Sequence, residues 1–258
     1  MVEQPKSTEQ IYTELSGSAG YIIINRPESQ NAMTQSMWDA IVPSLNDLKA
    51  LGAQVVVITG TGNAFCAGAD FNELAQINGE EAASSQWNSI KYALDELKAF
   101  ALPTVAMING PCMGGGCLMA MACDLRYAAS TARFSIPVGK LGIVLDDSNI
   151  LRLMSLVGPA IASELLYTGM SISAADAEAV GLINRALDIS ELPQFVNEVC
   201  NSICENGQAS VFEAKCSIAR ILSHAHPEGA LASFDDQSRV VESYLSHDFQ
   251  ARISQKRS

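Results

Sequence analysis

The sequence predicts an α/β core followed by an all-helical C-terminal end, on three observations. Short runs of β-branched and apolar residues, such as Val55 to Thr59 and Thr104 to Asn109, stand between glycines and loops. Such runs read as strands buried on both faces. Between them lie stretches with apolar residues at helical spacing, and from about Glu191 onward only that helical period remains.

In chain order, residues 1–10 are a polar lead-in. Ile11 to Leu15, a turn at Gly17 to Gly20, and Tyr21 to Ile24 read as a β-hairpin. Thr34 can cap a helix with the stripe Met37, Trp38, Ile41, Leu45 and Leu48, closed by Gly52 and kinked at Pro43. After the Val55 strand and a long loop, a helix is expected from Ser84 to Phe100. Thr104 to Asn109 is the next strand, Gly114 to Gly116 opens an apolar helix, and Asp124 to Ala128 is a further strand. A helix begins near Ser148, with Asp146 or Asp147 to cap it, a role that suits Asp147 well. Ser210 can cap a helix bearing Val211, Ala214, Ile218 and Ile221 or Leu222, and a last helix runs from about Ala230 to Leu245. With no strand to pack on, the helical end is expected to be a separate module. The divisions are residues 1–10, a core of 11–190, and a helical module of 191–258.

With 258 residues and 48% hydrophobic content the chain can bury one sizeable core. Its net charge of −12 with scattered Lys and Arg argues against a nucleic-acid partner. An anionic ligand would need helix N-termini or a local cation. Seven cysteines, mostly within apolar runs, suit buried thiols in a reducing compartment. Cys200 and Cys204 have a spacing that zinc sites use, but nothing nearby completes a tetrahedral set, so no metal is expected. Met1 to Thr8 is polar and no unbroken apolar run is as long as a membrane span, so a cytoplasmic protein is expected.

Chemistry is expected at two strand-to-loop junctions. One is Thr59 to Asp70, rich in small residues that let a ligand approach the main chain. The other is Asn109 to Cys117, whose glycines lead directly into a helix and present free N–H groups. Together they could set two N–H donors around one oxygen, an oxyanion hole. Neither matches the dinucleotide fingerprint or the P-loop. The histidines are His224, His226 and His247, all in the tail, so no base is available in the core for Cys66, Cys112 or Cys117.

Taken together, these segments resemble the crotonase family, the enoyl-CoA hydratase/isomerase superfamily. The likeness runs through Asn25 to Glu28, Asn31-Ala32, Val57 to Gly60, Phe65 to Asp70, Asn109-Gly110 and Gly114 to Gly116. It continues through Cys123 to Arg126, Ala132 to Phe134, Leu166 to Gly169, Ala174 to Ala177 and Gly181 to Asn184. The resemblance implies a spiral of ββα units, a C-terminal helical trimerisation module and an acyl-CoA ligand, with no cofactor beyond the coenzyme A of the substrate. It implies a homotrimer or a dimer of trimers. Position by position it puts the oxyanion N–H groups on Ala69 and Gly115, adenine contacts around Ala67, Asp70 and Phe71, and a phosphate contact on Arg26.

The family's hydratases add water with two glutamates. At the matching positions this sequence has Leu118 and Val138, neither of which can move a proton. Asp146, eight residues after Val138, stands where some isomerases of the family use an aspartate. A carboxylate among apolar neighbours suits taking a proton and returning it nearby, which is enough for double-bond migration. The expected activity is therefore isomerisation with Asp146, Ala69 and Gly115 as the working groups. Alternatives are a non-catalytic acyl-CoA binder, favoured by a likeness of Leu141 to Leu153 to actinobacterial members lacking both glutamates, and an atypical hydratase. Capping of the following helix is the competing role for Asp146.

Overall fold

The structure, a computed structural model, describes residues 9–225 and 236–257. The hairpin forms as expected, with β1 (Ile11–Ser16) antiparallel to β2 (Ala19–Ile24). Thr34 accepts a hydrogen bond from the Met37 N–H and caps α1 (Gln35–Ala50). The five stripe residues of α1 are buried, but the expected kink is absent: the helix runs on through Pro43. A proline costs a helix one hydrogen bond, a loss the packing of this buried stripe outweighs.

From β3 onward the chain repeats one course. A strand joins a large sheet, a short strand or bridge joins a small one, and a helix returns. The first turn is β3 (Val55–Gly60), a bridge at Cys66, then α2 (Phe71–Leu74) and α3 (Glu80–Ala99). The second is β4 (Thr104–Ile108), β5 (Cys112–Met113) and α4 (Gly115–Ala122). The third is β6 (Leu125–Ala129), β7 (Arg133–Ser135), α5 (Val138–Leu141) and α6 (Asp147–Thr168). Then β8 (Ile172–Ser173), α7 (Ala174–Ala179) and β9 (Arg185–Leu187) close the core. The large sheet has the order β1-β2-β3-β4-β6-β9, and the small one is β5-β7-β8, extended by the Cys66–Cys112 bridge. Stacked ββα units of this kind form the spiral that the sequence resemblance implied. The two-residue strand β5 lies inside a segment the sequence reads as loop. Strands this short carry too few residues to show a period.

Both faces of the large sheet are covered, so its central strands are continuously apolar. Along β3, Val56 and Ile58 enter one core with α1, α3 and α4, while Val55 and Val57 enter a second. That second core is closed by α8 (Leu192–Glu205), through Leu192, Val196 and Cys200. The boundary expected at residue 190 therefore does not separate two packing units, because α8 has a sheet face to cover.

Beyond it come α9 (Gln208–Ala225), α10 (Asp236–Leu245) and α11 (His247–Arg257). The expected start of the last helix near Ala230, His226 and the leading residues 1–8 lie outside the described residues. Val240, Val241 and Tyr244 of α10 and Phe249 and Ile253 of α11 pack with Leu74, Ile77, Ala83 and Trp87 of the first turn. The helical end thus folds back over the front of the core. Among the described residues α6 is the one helix long and apolar enough to cross a membrane. It breaks at Gly158 (φ 75°, ψ 167°) before Pro159, and Ile150, Met154 and Ile161 pack on the core.

Candidate active site

The two glycine-bearing loops are locked together by backbone and amide bonds. Asn31, with φ 58° and fully buried, donates from its side chain to the Thr61 and Ala64 carbonyls and accepts from the Arg26 N–H. Asn109 donates to the carbonyls of Gly60 and Gly62. Cys66 and Cys112 bridge the loops, and the Met113 N–H donates to the Cys66 carbonyl. Close approach needs glycine here. Gly68 takes φ +104°, and a Cβ on it would lie 3.0 Å from the Met113 carbonyl oxygen and 3.6 Å from the Gly115 nitrogen.

This arrangement decides where two N–H groups go. The Met33 N–H donates to Gly68 O and the Asp70 N–H donates to Met33 O, a parallel bridge centred on Ala69. In such a bridge the N–H of the central residue points away from the partner strand. Gly115 is the first residue of α4, where an N–H has no acceptor within the helix. Among the described residues neither the Ala69 nor the Gly115 N–H is spent on a backbone hydrogen bond. Both residues line one cavity of ≈ 110 Å³.

The rest of that cavity is mostly apolar. Trp38, Leu74, Trp87, Ile90 and Leu118 wall it, and Val138, Leu141, Ile143 and Val144 close it from the α5 side. Leu118 and Val138 are thus both at the cavity, offering only hydrocarbon where the resemblance puts glutamates in hydratases. The titratable groups lining it are Lys91, Asp146 and Tyr244. Of the two aspartates that could cap α6, the N-cap is Asp146 and not the neighbouring Asp147. Its Oδ1 accepts the Asn149 N–H at 3.0 Å and its Oδ2 accepts the Asn149 side-chain amide at 2.6 Å. Arg152 donates to Asn149 Oδ1 at 2.9 Å and is paired with Asp95, which also holds Lys91. Asp147 instead pairs with Arg239 of α10 at 2.8 Å. Capping and cavity-lining are therefore both true of Asp146, whose carboxylate is fixed and only 6% exposed.

The expected coenzyme-binding residues divide. Ala67 and Phe71 line the cavity, Phe71 with a part-exposed ring at the first position of α2. Ala67 donates its N–H internally, to Gln30 O. Arg26 and Asp70 are committed to each other. One Arg26 nitrogen donates to Asp70 Oδ2 and to the Ala32 carbonyl, both at 2.9 Å. The guanidinium predicted to meet phosphate is turned inward as a staple, because a buried carboxylate lies within its reach. Burial would raise the Asp70 carboxyl, but the Arg26 hydrogen bond, two backbone N–H donors of α2 and the Arg26 charge hold it below the ordinary value.

Cys66 is fully buried, and burial pushes its thiol up to about 12; Cys112 is raised well above its ordinary value for the same reason. Such thiols pack rather than attack. His247 is exposed at the start of α11, and the side chain of His224 lies outside the described residues. The sequence reading missed Tyr244, Asn149, Arg152 and Lys91. The spacing of Val240, Val241 and Tyr244 marks an inward helix face, but nothing local says which cavity that face meets.

Comparison with known proteins shows which family the chain belongs to. Residues 14–252 match the enoyl-CoA hydratase/isomerase family. A short-chain-enoyl-CoA hydratase of Clostridium acetobutylicum is 34% identical over 215 residues, 81% of each chain. A probable enoyl-CoA hydratase of Mycobacterium leprae is 33% identical over 88% of this chain and 91% of its own. Among solved structures, an enoyl-CoA hydratase/isomerase from Xanthobacter autotrophicus superposes with a TM-score of 0.88 at 28% identity, covering 97% and 94% of the two chains. A methylmalonyl-CoA decarboxylase in complex with 2-nitronate-propionyl-CoA gives 0.85 at 25% identity, covering 96% and 95%. A match over nearly the whole chain, with the fold shared throughout, makes this protein a member of the enoyl-CoA hydratase/isomerase family.

Proposed function

We propose that this chain binds an acyl-CoA thioester and runs an isomerase-type reaction through its enolate. The observation that carries the reading is one apolar cavity on which two unspent backbone N–H groups, Ala69 and Gly115, and a single carboxylate, Asp146, converge. The N–H pair would hold the thioester oxygen and gain most when that oxygen carries the enolate charge. Asp146 would take a proton from the carbon beside the thioester, and a proton delivered two carbons along would complete the double-bond shift. Leu118 and Val138 leave no second carboxylate to orient a water, so two-glutamate hydration is not the reaction. The loop from Ala67 to Phe71 would hold the adenine end, with Phe71 as the exposed ring. No metal or further cofactor enters the reading. A homotrimer or dimer of trimers fits the resemblance and the exposed apolar residues Phe212, Ile218 and Ile221 of α9.

A second reading, an acyl-CoA binder without turnover, is favoured by the engagement of both Asp146 oxygens with Asn149, one by its backbone N–H and one by its side-chain amide. One experiment separates the two. Saturated and unsaturated acyl-CoAs are incubated with the protein in D₂O and followed by mass spectrometry. Deuterium entering beside the carbonyl, and lost in Asp146→Asn with binding retained, supports the enolate enzyme. Tight binding with no exchange at any chain length leaves the binder.

A further inference from the structure

We infer that Tyr244 is the second proton-transfer group of this site, donating from its phenol to the substrate carbon that Asp146 does not serve. The inference rests on the isomerase reading above. Three observations place the phenol there. Tyr244 lines the same cavity as Asp146 and is almost completely enclosed. Its helix is tied to the chain on both sides of Asp146: the Val144 N–H donates to Ser243 Oγ at 3.1 Å, and Arg239 pairs with Asp147 at 2.8 Å. Finally, the phenol oxygen makes no hydrogen bond to a described residue, while the ring is fixed edge-on against Phe249 with centroids 5.4 Å apart. A polar tip with no partner beside a cavity suits a ligand contact.

Its protonation state fits a donor. Burial first, and the nearby Asp146 charge second, push the phenol up to about 12, so it carries its proton at neutral pH. The remaining titratable group of the cavity, Lys91, is paired with Asp95. The Asp146 carboxylate removes the proton between the carbonyl and a β,γ double bond, giving a dienolate held by the Ala69 and Gly115 N–H groups. Neutralising Asp146 removes the charge that disfavours the phenolate. Tyr244 then protonates the γ-carbon, releasing the α,β-unsaturated thioester, and the phenolate recovers its proton from the Asp146 carboxylic acid. No other reactant is needed.

The test compares the wild-type chain with Tyr244→Phe on a β,γ-unsaturated acyl-CoA in D₂O, alongside equilibrium binding of a saturated acyl-CoA. The expected result is binding within about threefold of wild type, α-carbon exchange retained, and γ-deuteration with interconversion down about 100-fold or more. Interconversion at the wild-type rate would show that Asp146 performs both transfers. Loss of binding, exchange and interconversion together would show that Tyr244 only holds α10. If wild type exchanges nothing, the isomerase reading itself fails and this inference with it. Should Tyr244→Phe not fold, 3-fluorotyrosine at 244 keeps the shape. A shift of the alkaline limb of kcat to lower pH would then support donation, and an unmoved limb would refute it.

Discussion

Asp70 shows how one side chain organises a site without touching the reaction. Its carboxylate caps α2 through the N–H groups of Asn72 and Glu73 and pairs with Arg26, fixing the loop that presents Ala69. Its folded pKa is depressed, so the stability it contributes is present above the ordinary aspartate value and is lost as pH falls through the folded one. Asp70→Asn should therefore lower the melting temperature at neutral pH by the equivalent of about 2 kcal/mol. The difference from wild type should close on going down through about pH 4 to strong acid. A gap that stays constant to acid would deny Asp70 this role. Gly116 is a second case: a Cβ there would meet the Cys66 carbonyl oxygen at 2.4 Å, and backbone cannot yield as a flexible side chain can. Gly116→Ala is expected to cost about 1–3 kcal/mol and to weaken acyl-CoA binding by displacing the loop before Ala69. Unchanged melting and affinity would refute it.

At the scale of elements, α8 is the informative one. It belongs to the helical end by sequence order and to the sheet by packing, since Leu192 and Val196 lie under Val55, Val57 and Val105 in one buried cluster. Leu192→Ala should lower the urea midpoint by about 2–5 kcal/mol in stability with an unchanged slope, because it opens a cavity in the cooperative core. A change below about 1 kcal/mol would mean that α8 is only loosely docked. The pair α10 and α11 does different work: Val240 and Tyr244 of α10 line the cavity, and Phe249 and Ile253 of α11 pack in one cluster with them.

For the whole molecule, α9 is the element left over. Ile218 and Ile221 are 61% and 65% exposed on a helix whose apolar stripe the sequence shows clearly. An apolar stripe left in water marks an association surface. We expect sedimentation to give a trimer or hexamer, and Ile218→Glu with Ile221→Glu to reduce it to smaller species. A wild-type chain that sediments as a monomer would end this expectation.

The legible part of the protein was the part written locally. Continuous β-branched runs marked β3 and β4, a 3.6-residue stripe and a Thr cap marked α1, and the glycine loops marked the close approach of two backbones. Each depends on residues a few positions apart, so the sequence by itself determined the α/β core and the close approach of its two glycine loops. Side-chain commitment was not legible in the same way. The partner of Arg26 is a carboxylate 44 positions away, and of two candidate caps it is Asp146 that closes α6. The meeting of Tyr244 with Asp146, nearly 100 residues apart, is likewise a property of the folded chain alone. Only the tertiary structure decided these pairings, because a polar group takes the best partner in space, and sequence spacing does not record distance once the chain has turned.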